Sequence, residues 1–291
     1  VTAARSIQFF AKDIKLSHSI FALPFALSAL TFLSVNSVTA GRILLIVVCM
    51  VTARSFAMGM NRYLDRHIDA GNPRTRGRMI PAAQLTAGQS LGWSLTFGAL
   101  FVVCSFALSR LAGLLSLPLL VVLAGYSWQK RYTWLCHLYL GMCLGFSPIA
   151  VEIALTGQVS LPVLLVGLGV AFWTAGFDVI YSLQDRGFDL STGLHSIPQR
   201  FGFAGAINLS RLLFGAMVLS LAAAGWVAGS GWIYFAGIAL IAVVLAGEHY
   251  LIRDAKKDGS SRYINKAFFD FNAFVSLFFF TVALTDVLLR T

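Results

Sequence analysis

MNRYLDRHIDAGNPRTRGRMIP, residues 60–81, is a strongly polar run in an otherwise apolar chain. Asn61, Asp65 and Asp69 recur every four residues, so a helix carries them on one face. Asn72-Pro73 then breaks the helix, and Arg74, Arg76 and Arg78 follow the break. A second stretch, DVIYSLQDRGFDLSTGLHSIPQR at 178–200, repeats the scheme with Asp178, Asp185 and Asp189 ahead of basic residues. Two carboxylate clusters at helix ends, each trailed by cations, point to a metal ion and a phosphorylated ligand. Mg²⁺ in particular takes hard oxygen donors and is commonly held by one or two carboxylates plus substrate phosphate.

Around these stretches the chain is membrane-like. Of its 291 residues 58% are hydrophobic and 12% charged, against roughly 25% charged in a soluble domain. The expectation is an all-α polytopic membrane protein in which residues 1–291 form one integral-membrane domain. The apolar runs at 18–35, 43–65, 85–109, 111–128, 136–155, 161–184, 204–227, 232–252 and 267–289 make nine expected spans, each close to the ~20 residues needed to cross the hydrocarbon. Residues 1–17 place Arg5, Lys12 and Lys15 beside Ile7, Phe9, Phe10 and Ile14, the pattern of an interfacial amphipathic helix. The charged residues before the first apolar run argue against a cleavable signal peptide.

The net charge is +10, and its distribution matters more than its size. With nine spans, the N-terminus and the loops after spans 2, 4, 6 and 8 hold nearly all the cations, while Arg42, Arg110 and Arg290 fall on the other side. The positive-inside rule then puts the N-terminus and both acidic clusters in the cytoplasm. No nucleic-acid module is present. Cys49, Cys104, Cys136 and Cys143 form no CxxC pair and read as packing residues.

Each feature also has a plainer explanation. A lone DxxxD pair is common at solvated helix ends, and Arg74, Arg76, Arg78, Lys130 and Arg131 satisfy the positive-inside pattern whatever they bind. Two pairs on one side, each continued into its span by an ionisable group, favour a site, because such groups face a cavity rather than lipid. Arg54 lies seven residues before Asn61, and Asp178 seven before Asp185, with Tyr181 in the intervening turn. This spacing makes spans 2–3 and 6–7 look like a diverged repeat. His67 falls within the first cluster and His195 beside the second, while Glu152 is expected at the outer interface.

At these residues the chain resembles the UbiA superfamily of intramembrane aromatic prenyltransferases. The family motif NDxxDxxxD is matched by residues 61–69, with Arg62 in place of the first Asp. The second motif, DxxxD, is matched by Asp185 and Asp189, and YSWQKRYT at 126–133 matches the YxxxKRxT loop. NPRTRGRMIP, SIFALPFA and GLHSIPQRFG look most like the quinone-pathway members. The resemblance implies a nine-helix UbiA-like bundle around a central cavity open to the cytoplasm and to membrane lipid. It implies transfer of a polyprenyl group from polyprenyl diphosphate to an aromatic acid acceptor of the 4-hydroxybenzoate type. The same chemistry on 1,4-dihydroxy-6-naphthoate is the alternative. Mg²⁺ would be held by Asn61, Asp65, Asp69, Asp185 and Asp189. The diphosphate would meet Arg74, Arg78, Tyr126, Lys130, Arg131 and His195, although His195 stands where many relatives have Lys. The acceptor would meet Arg54, Asp178 and Tyr181, with Asp178 either pairing with Arg54 or orienting the acceptor hydroxyl. From another class, a transporter with a midplane ionic site also fits paired repeats and in-span charges. It accounts less well for acids clustered beside cations at the helix ends.

Overall fold

The computed structural model describes residues 3–16, 23–33, 38–258 and 271–290, and every regular element among them is helical. In chain order these are α1 (Ala3–Asp13), α2 (Leu23–Ser28, continued as a 3₁₀ turn Ala29–Phe32), α3 (Ala40–Leu64) and α4 (Arg66–Gly71). Then come α5 (Ala87–Leu108), α6 (Arg110–Gln129), α7 (Cys136–Thr156), α8 (Leu161–Ser182) and α9 (Arg186–Thr192). The chain ends with α10 (Ile197–Val227), α11 (Trp232–Asp258) and α12 (Asn272–Arg290). Among the described residues seven helices are long and apolar enough to cross a bilayer, which makes this a multi-pass membrane protein. Of the expected span 18–35 only α2 and its 3₁₀ turn lie within the described residues, and the start of 267–289 lies outside them. The other seven expected spans fall on α3, α5, α6, α7, α8, α10 and α11.

The described helices gather into two compact units, one within 1–19 and 38–129 and the other within 20–37 and 130–291. In the first, α3 packs on α5 and α6, and α1 lies against α3 and α5. α1 buries one face, and that face is in protein contact. Phe10 and Ile14 pack with Met79 and Leu85, Phe10 stacks on Phe97, and Trp93 Nε1 donates to Ser6 Oγ at 2.9 Å.

In the second unit α8 is the central helix, packed against both α7 and α10. Its Trp173 sits in an apolar cluster with Phe25, Phe214, Met217, Tyr234 and Phe279. The α7–α8 contact is backbone-close because Gly141 and Gly145 face Gly167 and Ala171. A Cβ at Gly141 would come within 2.3 Å of the Ala171 carbonyl oxygen. In lipid, where burial of apolar surface does not drive helix association, such small residues permit the close packing that does. Glu152, expected at the outer interface, lies near the C-terminal end of α7, beside the α7–α8 turn. It is 3% exposed and accepts the Ser160 N–H at 2.9 Å, because the start of α8 leaves amide donors that need partners.

Candidate active site

The first acidic motif folds as a broken helix. α3 ends at Leu64, Asp65 (φ −91°, ψ 5°) is the joint, and α4 carries Asp69 in its first turn, where an acid is favoured by the helix dipole. Asn72 stops α4, its side-chain oxygen accepting the Arg74 N–H at 2.9 Å around Pro73. The chain then turns back so that Arg78 Nη1 meets Asp69 Oδ2 at 2.6 Å. Asn61 donates to Asp65 Oδ2 at 2.6 Å and to Ser127 Oγ at 3.3 Å. The motif's acids are thus oriented by N–H groups, and its cations divide by role. Arg78 pairs with Asp69, Arg66 lies over the Tyr63 ring, and Arg74 and Arg76 are exposed. His67 is exposed as well.

Arg62, the departure from the family motif, is buried at 6% exposure. Its Nη1 donates to Asn61 Oδ1 at 2.8 Å and its Nε to the Asp13 carbonyl at 3.2 Å. Asp13 Oδ1 in turn accepts the Met79 N–H at 3.0 Å, at the end of the arginine-rich turn. Arg54 Nη1 reaches the Ile14 carbonyl at 3.3 Å. The end of α1 is therefore tied to α3 by two arginines and to the loop by one carboxylate. It brings Lys15 to the arginines, where burial, then Arg62, Arg78 and Arg74, lower its pKa below the ordinary 10.5. The sequence reading missed Asp13 and Lys15. The available signal was Asp13 itself, an acid on the Phe10–Ile14 apolar face of α1.

The second motif repeats this local design. α8 ends at Ser182, a 3₁₀ turn Leu183–Asp185 makes the joint, and α9 carries Asp189 in its first turn. Asp189 is wholly buried, with Lys130 Nζ 2.6 Å from Oδ1 and Ser196 Oγ donating to Oδ2 at 2.8 Å. The same Ser196 hydroxyl caps α10 by accepting the Gln199 N–H. His195 places its side chain in the open, but its backbone N–H donates to the Lys130 carbonyl at 2.8 Å. Arg131, Tyr181 and Asp185 lie in the same unit, Asp185 buried and the other two half-buried. Asp178 bonds to His137, which the sequence reading left without a role: His137 Nδ1 lies 2.7 Å from Asp178 Oδ2.

Each unit thus carries a span, a joint at or beside an Asp, a short helix with a second Asp, and a cation 2.6 Å from that second Asp. Arg54, Asn61, Asp65, Asp69, Arg74, Arg78 and Tyr126 belong to one unit; Lys130, Arg131, Asp178, Tyr181, Asp185, Asp189 and His195 belong to the other. Among the described residues no three His, Cys, Asp or Glu side chains gather into a metal cage. Within each unit the carboxylate pair, Asp65 with Asp69 in one and Asp185 with Asp189 in the other, offers hard oxygens of the kind suited to an ion that keeps waters and shares substrate phosphate, as Mg²⁺ does.

The family model for the UbiA prenyltransferase family matches residues 22–278. The 4-hydroxybenzoate octaprenyltransferase of Methylobacillus flagellatus is 30% identical, covering 70% of this chain and 69% of its own. That of Sodalis glossinidius is 32% identical, covering 70% of each, and that of Nitrosococcus oceani 30%, covering 84% of each. The apo structure of a UbiA homolog from Aeropyrum pernix K1 matches with TM-score 0.82 at 29% identity, covering 93% of this chain and 98% of that one. A UbiA homolog from Archaeoglobus fulgidus bound to GPP and Mg²⁺ shares the fold, with TM-score 0.69 at 17% identity over 95% of this chain and 99% of that one. The transporter reading gives way to this agreement of motif, family and fold. The chain belongs to the UbiA prenyltransferase family and is a prenyltransferase.

Proposed function

We propose that this enzyme transfers a polyprenyl group from polyprenyl diphosphate to a ring carbon of a 4-hydroxybenzoate-type aromatic acid, with Mg²⁺, in quinone biosynthesis. The observation that carries the reading is the repeated pairing of a motif acid with a cation, Asp69 with Arg78 and Asp189 with Lys130. Such acid–cation sets suit a metal-bound diphosphate. The names of the three relatives given above, each a 4-hydroxybenzoate octaprenyltransferase, support the acceptor class. We further place nine spans in the inner membrane, with the N-terminus and the site on the cytoplasmic side, on the strength of the cation distribution.

Asn61, Asp65, Asp69, Asp185 and Asp189 would hold Mg²⁺, which supplies charge neutralisation for the departing diphosphate. The protein's own cations do the rest of that work. Arg74, Arg78, Lys130 and Arg131, with Tyr126 and His195, bind the diphosphate and stabilise the negative charge that grows as the allylic C–O bond breaks. Arg54 takes the acceptor carboxylate, since a guanidinium matches it with two parallel donors. Asp178, beside Tyr181, orients the acceptor hydroxyl, so that the electron-rich ring carbon forms the new C–C bond. The ring then loses its proton and regains aromaticity. The purified enzyme, given polyprenyl diphosphate and a panel of labelled aromatic acids, should prenylate hydroxybenzoates only with Mg²⁺. Preference for the dihydroxynaphthoate would move the acceptor assignment. Full Mg²⁺-dependent activity in Asp65→Ala or Asp189→Ala would overturn the metal assignment.

A further inference from the structure

His137 is the second residue of α7, and its side chain is 4% exposed. Both of its ring nitrogens are engaged. Nδ1 lies 2.7 Å from Asp178 Oδ2, and Nε2 lies 3.3 Å from the backbone nitrogen of Ile197. A backbone N–H can only donate, so Nε2 is the acceptor and carries no proton. The ring proton of a neutral imidazole is then on Nδ1, donated to the Asp178 carboxylate. With Nε2 occupied by Ile197, the ring has no open lone pair to receive a further proton. It is built as a lock rather than a relay.

The lock has two ends. Among the described residues Asp178 has no other hydrogen-bond partner, and its side chain keeps 25% exposure. One carboxylate oxygen is held and the other is left for a further partner. At the far end, Ile197 follows Ser196, whose hydroxyl bonds Asp189 Oδ2. The fixed tautomer therefore ties Asp178 to the first amides of α10, beside the second motif.

We propose that His137 is a positioning residue for the aromatic acceptor: its Nδ1–H holds Asp178 in one rotamer, so that Asp178 Oδ1 accepts the acceptor's hydroxyl. This rests on the reading of Asp178 as the acceptor-orienting acid. His137 does not touch substrate, and its effect passes entirely through Asp178.

The test is a double-mutant cycle on the purified enzyme with polyprenyl diphosphate, Mg²⁺ and 4-hydroxybenzoate. His137→Ala should raise KM for the aromatic acid about tenfold or more, the scale of a hydrogen bond to a charged group, while KM for the diphosphate stays put. His137→Asn, whose amide can sit where Nδ1–H sits, should recover most of that loss. Adding His137→Ala to Asp178→Asn should change nothing further. Equal shifts in both KM values, no rescue by Asn, or additive effects would each overturn the proposal. If Asp178→Asn raises the acceptor KM but His137→Ala does not, the Asp178 reading stands and the His137 inference fails. If Asp178→Asn has no effect on that KM, both fall. Independently of variant folding, ¹⁵N-histidine spectra of the wild type should show the signal missing from His137→Asn as the Nδ1-protonated neutral tautomer. The Nε2-protonated form or an imidazolium there would also overturn it.

Discussion

Removing either member of the Lys130–Asp189 pair should destabilise the protein unequally, because their burial is unequal. The Asp189 side chain is fully buried while that of Lys130 is 29% exposed, at 2.6 Å separation. Asp189→Asn keeps the shape and an acceptor for the Ser196 hydroxyl, and it leaves a cation that can turn to water; the expected cost is about 1 kcal/mol. Lys130→Met leaves a carboxylate out of reach of water with, among the described residues, only the Ser196 hydroxyl bonded to it. Stranding one charge of a buried pair costs about 3–5 kcal/mol, and the remaining hydroxyl puts this case near 3 kcal/mol. At roughly 2 °C per kcal/mol for a chain of this size, midpoints should fall by about 2 °C and about 6 °C respectively. Tryptophan-fluorescence melts in detergent with EDTA present would measure both, and the double variant should melt above Lys130→Met alone. A larger loss for Asp189→Asn, or a double variant less stable than Lys130→Met, would refute the assignment of the burial cost to Asp189. Prenyl transfer should be lost in both single variants, which separates the catalytic effect from the stability ranking.

Arg62→Met removes the donors to the Asp13 carbonyl and to Asn61 Oδ1; stability should drop by about 2–4 kcal/mol, and trypsin should cut faster at Lys12 and Lys15. An unchanged cleavage rate would show that Arg62 does not tether α1. Gly141→Leu should abolish folded yield or sharply lower the melting midpoint, because its Cβ would meet a backbone carbonyl at 2.3 Å, whereas Gly41→Leu, with nothing within 4 Å, should melt like wild type. Lys15→Met should be more stable than wild type at pH 7. The folded state binds the Lys15 proton less tightly than the unfolded chain does, so the gap should close as pH rises toward 10.5, and inorganic diphosphate should close it at pH 7. A gap that widens with pH would refute the placement of Lys15 among Arg62, Arg74 and Arg78.

The sequence by itself determined the class of the molecule and the residue types of its chemistry. Continuous apolar runs of about 20 residues, twice the length of a spanning strand, cross as helices, which satisfy their own backbone where hydrocarbon offers no partners. Acids four residues apart before Asn72-Pro73 announce a helix end as directly as a local pattern can. What it could not give were partners distant in sequence. Arg62 reads as a departure from the motif with no partner in view until Asp13 lies against it, 49 residues away. His137 reads as a lone histidine in an apolar span until folding sets Asp178 and Ile197 on its two nitrogens, 41 and 60 residues further on. Hydropathy and helical spacing are short-range properties, legible along the chain. Which buried polar group satisfies which other is decided only when helices pack, because a hydrogen bond depends on a few tenths of an ångström across elements that the sequence lists far apart.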